Sequence, residues 1–266
     1  MEDTEHALEA DSYPMGTWLS VGHPTVAEVS ASRDVDFVLV DTEHTTISLE
    51  TVENMARAIE AADSPTKTIV RVPWNDHVRL KRILDIGING VMVPMVDTAM
   101  EAEELVDAMR YPPEGNRGIA SGRAAEYGEQ FTEYVENANG SFTTIAQIES
   151  RAGLQNVEAI AAVEGIDALF VGPSDMSGAL GVFGEDDPDE LAEAMDRVID
   201  AAAAANIAAG TLTIDTSDVA GHVERGFDFL IVGKDTASLS AANHEARSVY
   251  DKAISRYRQS ARQGQQ

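Results

Sequence analysis

Eight short apolar runs recur along the chain, at 16–21, 37–40, 68–72, 90–96, 143–148, 168–171, 207–212 and 229–232, and most are separated by stretches of helical periodicity at 49–61, 76–86, 99–109, 154–163, 188–205 and 218–226. Strands that are apolar without interruption must be covered on both faces, which points to a parallel sheet with helices outside it. Eight strand–helix units in 266 residues fit a closed (β/α)8 TIM barrel, which typically takes about 250. An open doubly wound sheet would show the same alternation, but no Gly-x-Gly-x-x-Gly follows the first run. One barrel is therefore expected over 13–237, after a disordered acidic lead at 1–12. A last helix and polar tail at 238–266 is expected to pack on a neighbouring subunit, a frayed terminus being the alternative. The stretch 111–140, with Pro112, Pro113, Gly115, Gly118 and Gly122, is too long for a plain connection and is expected to cover a site.

Asp41, His44, Arg71, Glu149 and Asp175 all fall where an apolar run ends. In a parallel barrel those ends share one face, so residues distant in sequence converge there. Glu149 and Asp175 follow the fifth and sixth runs, and neighbouring strands lie about 4.8 Å apart. Carboxylates that close repel unless a cation separates them, and Mg²⁺ commonly takes one or two carboxylates, with water and substrate completing its shell. Asp41 can fix the tautomer of His44 and raise its basicity, which suits a general base; a capping Asp and a surface His is the plainer reading. Arg71 inside an apolar run requires an anion, either a keto acid or its enolate, or a structural partner such as Asp41 or Glu149. Gly172-Pro173-Ser174-Asp175-Met176-Ser177-Gly178 reads as a small-residue turn whose N–H groups could hold a carboxylate or phosphate, or simply as a turn. Lys234, past the eighth run, is placed for a Schiff base, and His23, past the first, could line the same rim.

With 46 acidic against 19 basic residues the net charge is −27, and the lysines are confined to Lys67, Lys81, Lys234 and Lys252. That balance argues against a nucleic-acid partner, which needs clustered cations. It suggests a salt-adapted, halophilic surface kept soluble by hydrated acids, with an ordinary acidic surface as the alternative. Cysteine is absent, so no disulfide framework exists. The apolar runs are too short for a membrane span, and 1–10 lacks the basic and apolar regions of a signal peptide. A cytoplasmic enzyme with no membrane partner is expected.

Taken in order, Gly16-Thr17-Trp18-Leu19, Asp41-Thr42-Glu43-His44, Arg71-Val72-Pro73-Trp74-Asn75-Asp76, Leu84-Asp85-Ile86-Gly87, Val93-Pro94-Met95-Val96, the segment 110–118, Gln147-Ile148-Glu149 and Val171-Gly172-Pro173-Ser174-Asp175-Met176-Ser177 resemble the HpcH/HpaI aldolases, class II pyruvate aldolases acting on 4-hydroxy-2-oxo and 2-keto-3-deoxy acids. The resemblance spans Met15 to Thr236. It implies a divalent metal (Mg²⁺, Mn²⁺ or Co²⁺) on Glu149 and Asp175, chelated by pyruvate, and no organic cofactor. It also implies Arg71 on the enolate, Asp41 and His44 as base dyad, and amides near Gly172, Pro173, Ser174 and Asp175 on the pyruvate carboxylate. Gln147 and Trp18 line the substrate in this reading, and Leu212, at the end of the seventh run, is expected on the rim that meets the aldehyde. The partners are a keto acid and an aldehyde, and the assembly is a homo-hexamer, a trimer of dimers with the last helix exchanged. Competing readings are a citrate-lyase-like CoA thioester lyase, a Schiff-base aldolase using Lys234, and a catalytically silent keto-acid-binding barrel. Thr45-Thr46-Ile47 after His44 is where relatives vary, so the aldehyde end is open.

Overall fold

A computed structural model describes Leu8, residues 13–185 and residues 188–263. Eight parallel strands close into a barrel in chain order: β1 (Met15–Leu19), β2 (Phe37–Asp41), β3 (Lys67–Arg71), β4 (Gly90–Val93), β5 (Thr143–Ile148), β6 (Ala168–Val171), β7 (Ala208–Thr213) and β8 (Phe229–Lys234). β8 pairs with β1, so the sheet has no edge and the open alternative is excluded. Around it run α1 (Pro24–Ala31), α2 (Leu49–Glu60), α3 (His77–Leu84), α4 (Ala99–Met109), α5 (Phe131–Asn137), α6 (Arg151–Gln155), α7 (Val157–Ala161), α8 (Pro173–Leu180), α9 (Asp189–Ala205), α10 (Val219–Arg225) and α11 (Asp235–Gln263). Among the described residues no helix is long and apolar enough to cross a membrane.

Each strand alternates between two cores, because successive side chains point to opposite faces. Val38, Val40, Val70, Val91, Ala146, Ile148, Leu169 and Val171 pack outward against the helices. Phe37, Leu39, Ile69, Met92, Ile145, Phe170, Phe229 and Ile231 fill the interior, joined by Trp18 and Leu8. The interior is thus a packed plug, and chemistry is confined to its ends. Apart from Leu8, which is buried in that inner cluster, the expected acidic lead lies outside the described residues.

Capping explains several helix starts. Ser48 accepts from Thr51 N at α2, Asp76 from Arg79 N at α3, and Thr98 and Glu101 form a capping box at α4. The sequence pattern does not reveal α1, which begins at capping His23 and Pro24 and buries only Ala27 and Ala31; alanine leaves little periodic signal.

Two expectations are corrected. The segment 111–140 does not lie over the carboxyl-end site. It packs at the amino end of the barrel, where Arg117 Nη2 donates to Asp85 Oδ1 at 2.9 Å and Ala124 N to Asp85 O at 3.2 Å, Asp85 being the C-cap of α3 just ahead of β4. Buried Arg117 also lies over the Tyr111 and Phe142 rings, at 4.4 and 5.1 Å to their centroids. Second, the small-residue turn at 172–178 is the start of a helix: Gly172 is the N-cap of α8, Pro173 its first residue and Asp175 in its first turn. The last helix starts at Asp235, directly after β8.

Candidate active site

The interior parity of the strands builds the site one layer above the apolar plug. Continuing Phe37 and Leu39 brings Asp41 inward, continuing Ile69 brings Arg71, and continuing Ile145 brings Gln147 and Glu149. Leu212 packs on the same inner cluster. Asp41 and Arg71 are register partners across β2 and β3. Arg71 Nε and Nη2 each donate to Asp41 at 3.0 Å, and both residues are buried. Arg71 Nη1 pairs with Glu43 Oε2 at 2.8 Å, and its Cζ lies 4.5 Å from the Trp18 ring centroid. The guanidinium is therefore held by two carboxylates and an aromatic face, which fixes its plane.

Asp41 does not reach the His44 ring in this arrangement. Its carboxylate takes Arg71 and the Glu43 backbone N–H, at 3.0 Å for the latter, while the acid beside the imidazole is Glu43, with Oε1 3.7 Å from His44 Nε2. Burial would raise the Asp41 carboxyl, but its bonds to Arg71 and to the Glu43 and His44 backbones hold it below the usual range. Asp41 thus fixes the loop that carries His44 through the main chain. Glu43 lies above its usual value because of burial, opposed by Arg71 and His44 and reinforced by Asp41 and Asp175. Sequence reasoning passed over Glu43; its place between two site residues in the 41–44 motif was the available signal. His44 itself is exposed at the mouth.

Glu149 Oε1 accepts from Met95 N at 3.0 Å and Oε2 from Gln147 Nε2. Burial, then the charges of Glu43 and Asp175, push the Glu149 carboxyl up to about 7 against the pull of Met95 N and Arg71. Gly172 closes this corner: a Cβ there would come within 2.8 Å of both Gln147 Nε2 and Glu149 Oε2. Ser174 and Asp175 lie at the mouth in the first turn of α8, whose free N–H groups and positive dipole end favour an anion. Gln147 Oε1 and Trp18 Nε1 are buried with no hydrogen-bond partner, an acceptor and a donor left open within the chain's own hydrogen bonding. Among the described residues no three His, Asp or Glu are gathered to hold an ion alone; Glu149, Asp175 and the orphaned Gln147 oxygen suit a hard cation whose shell is completed by ligand oxygens. His23, expected on the rim, is exposed and spends Nδ1 on capping α1 by accepting from Thr25 N.

The fold and this carboxyl-end cluster of acids around one guanidinium are those of a barrel enzyme. The family described as HpcH/HpaI aldolase/citrate lyase matches residues 15–242, and the chain belongs to that family; it is a lyase of the aldolase type. It is 40% identical over 234 residues, 86% of this chain and 87% of the relative, to 4-hydroxy-2-oxovalerate aldolase of Novosphingobium aromaticivorans. It is 39% identical over 236 residues, 87% of this chain and 90% of the relative, to hydroxypyruvate/pyruvate aldolase of Paraburkholderia phytofirmans. The crystal structure of a HpcH/HpaI aldolase/citrate lyase family protein from Burkholderia cenocepacia superposes with a TM-score of 0.89 at 35% identity, covering 93% of this chain and 98% of that one.

Proposed function

We propose that the protein cleaves a 4-hydroxy-2-oxo (2-keto-3-deoxy) acid to pyruvate and an aldehyde, and runs the reverse addition. The relatives named as 4-hydroxy-2-oxovalerate and hydroxypyruvate/pyruvate aldolases support the reaction class. The observation that carries the reading is the corner of Glu149, whose carboxyl is pushed to about 7 by burial and by Glu43 and Asp175, beside an unpartnered Gln147 oxygen. Such a cluster is relieved by a divalent cation. Glu149 and Asp175 would hold it, and bound there it supplies Lewis-acid charge at the substrate keto oxygen.

The chain's own groups account for the remainder. The first-turn N–H groups at Ser174 and Asp175 receive the keto-acid carboxylate, and Gly172 leaves room for it. His44 takes the proton of the C4 hydroxyl. The C3–C4 bond then breaks, its electron pair passing to the keto oxygen as the enolate of pyruvate forms and the aldehyde leaves. Arg71, held in plane by Asp41, Glu43 and Trp18, faces the charge that develops on that oxygen. Protonation at C3 completes pyruvate. Chelator treatment should abolish pyruvate formation, and Mg²⁺, Mn²⁺ or Co²⁺ should restore it; full activity in metal-free protein would refute the metal-assisted reading.

A further inference from the structure

With 46 acids to 19 bases in the chain, acids are at hand for every cation, and outside the site Arg57, Arg117, Arg123, Arg197, Arg225 and Arg247 each take one. Three cations gathered on α3 do not. Arg79, Lys81 and Arg82 lie within four residues of that helix, and among the described residues no ion pair includes any of them. Arg79 Nε is buried with no hydrogen-bond partner, and Arg82, three residues on, repels the same guanidinium. Val78, Lys81 and Arg82 have the i, i+3, i+4 spacing of residues that share one helix face. Val78 is 43% exposed, and Trp74, just ahead of the helix, is 62% exposed. The outer side of α3 is thus a ridge of apolar and cationic groups, and exposed aromatic side chains and arginine are what concentrate at protein interfaces.

The matching surface adjoins it. Helices follow the barrel order, so α4 lies between α3 and α7 and packs on both, and between α4 and α7 runs a groove of about 640 Å³. Met100, Val106, Ala162 and Val163 form its apolar part, and Glu103, Glu104, Glu114 and Glu164 its acids. All four acids are exposed, and among the described residues no ion pair includes them. Met100 is 64% exposed. A small free anion calls for donors converging on one point, whereas the α3 cations are strung along a helix beside two exposed apolar side chains. A protein surface with acids around apolar groups fits that ridge, and the groove has this composition. Because ridge and groove are neighbours, a two-fold axis between them lays the ridge of each copy in the groove of the other and closes the assembly.

We propose that the α3 ridge of one copy docks in the α4–α7 groove of a second copy, the unpaired cations of each meeting the unpaired acids of the other. The contact is independent of the aldolase chemistry. Charge reversal tests it, read by sedimentation velocity of the full chain at a salt concentration where the unaltered protein is assembled. K81E/R82E should raise the dissociation constant about 10- to 100-fold, because like charges then face each other. E103K/E104K should do the same, although it makes the chain less negative and would tighten an association limited by net charge alone. Mixed one to one, the two variants should form a mixed assembly, since both ridge–groove contacts are again of opposite sign. Where a reversed pair does not fold, K81Q/R82Q and E103Q/E104Q should show weakening in the same direction, and unaltered assembly in them would count equally against the contact. An unaltered protein that is monomeric at every salt concentration, assembly unchanged in either reversed pair, or a mixture no tighter than its separate components would overturn the proposal.

Discussion

Burial, reinforced by Glu43 and Asp175, raises the Glu149 carboxyl from 4.5 to about 7, and pH dependence follows from the sign of that shift. The folded protein holds this proton more tightly than the unfolded chain, so the contribution to the metal-free fold is complete below the unfolded value and lost as pH rises through about 7. Glu149→Gln should therefore raise the melting temperature of metal-free protein by roughly a few degrees above pH 7, with the gap closing toward about pH 5. Thermal melts across that range check it, and a constant gap would contradict it. Cation affinity should run the opposite way, rising with pH until Glu149 is ionised and then levelling. His44, exposed and clear of that corner, separates chemistry from binding. In the proposed mechanism His44→Ala lowers the aldol step by about 10²- to 10⁴-fold with metal affinity retained, whereas Glu149→Ala loses the metal; equal metal loss in both variants would remove His44 from the base role.

Among the elements, the seam between β8 and β1 is where closure is decided. The ladder is interrupted there by the bulge at Gly233, and Asp235 Oδ2 spans the break by accepting from Ser20 N and Val21 N at 2.9 and 2.7 Å. Asp235 also opens α11, so one carboxylate fastens the barrel mouth and sets where the last helix departs. Asp235→Ala leaves two main-chain donors at the end of β1 without their acceptor and should cost about 1–3 kcal/mol, seen as a lower urea midpoint with an unchanged slope. A midpoint equal to that of the unaltered protein would show the seam to be held by the ladder alone.

Over the whole molecule, a net charge of −27 sets self-repulsion against compactness. α11 runs 29 residues, about 44 Å at about 1.5 Å per residue, and leaves Leu239, Val249, Tyr250 and Tyr257 exposed, a face suited to a second subunit. In the proposed salt-adapted oligomer, withdrawing counterions lengthens the reach of like charges beyond the screening distance of about 10 Å at 0.1 M. Assembly and activity should then fall together from molar KCl to dilute buffer, with partial rescue by Mg²⁺ through Glu149 and Asp175. Sedimentation velocity across a salt series checks this; an assembly and melting temperature that do not change with salt would refute the salt-adapted reading.

The sequence alone determined the barrel, because eight buried parallel strands impose eight apolar runs. It also determined which side chains crown it, because a period of two carries Asp41, Arg71, Gln147 and Glu149 inward from Leu39, Ile69 and Ile145. Partnership was a different matter. That Asp41 would meet Arg71 rather than the His44 ring was decided by the register of β2 on β3, a relation between segments that neither segment encodes by itself. The stretch 111–140 looked like a cover for the site; it follows a helix rather than a strand, and the alternation of chain direction sends it to the amino end. Lys234 falls within β8 rather than past it, and only closure of β8 on β1, with its extra residue at Gly233, pairs it with Trp18. Local patterns fix what a residue can be, whereas register and closure fix what it faces, because they depend on contacts between segments far apart in the chain.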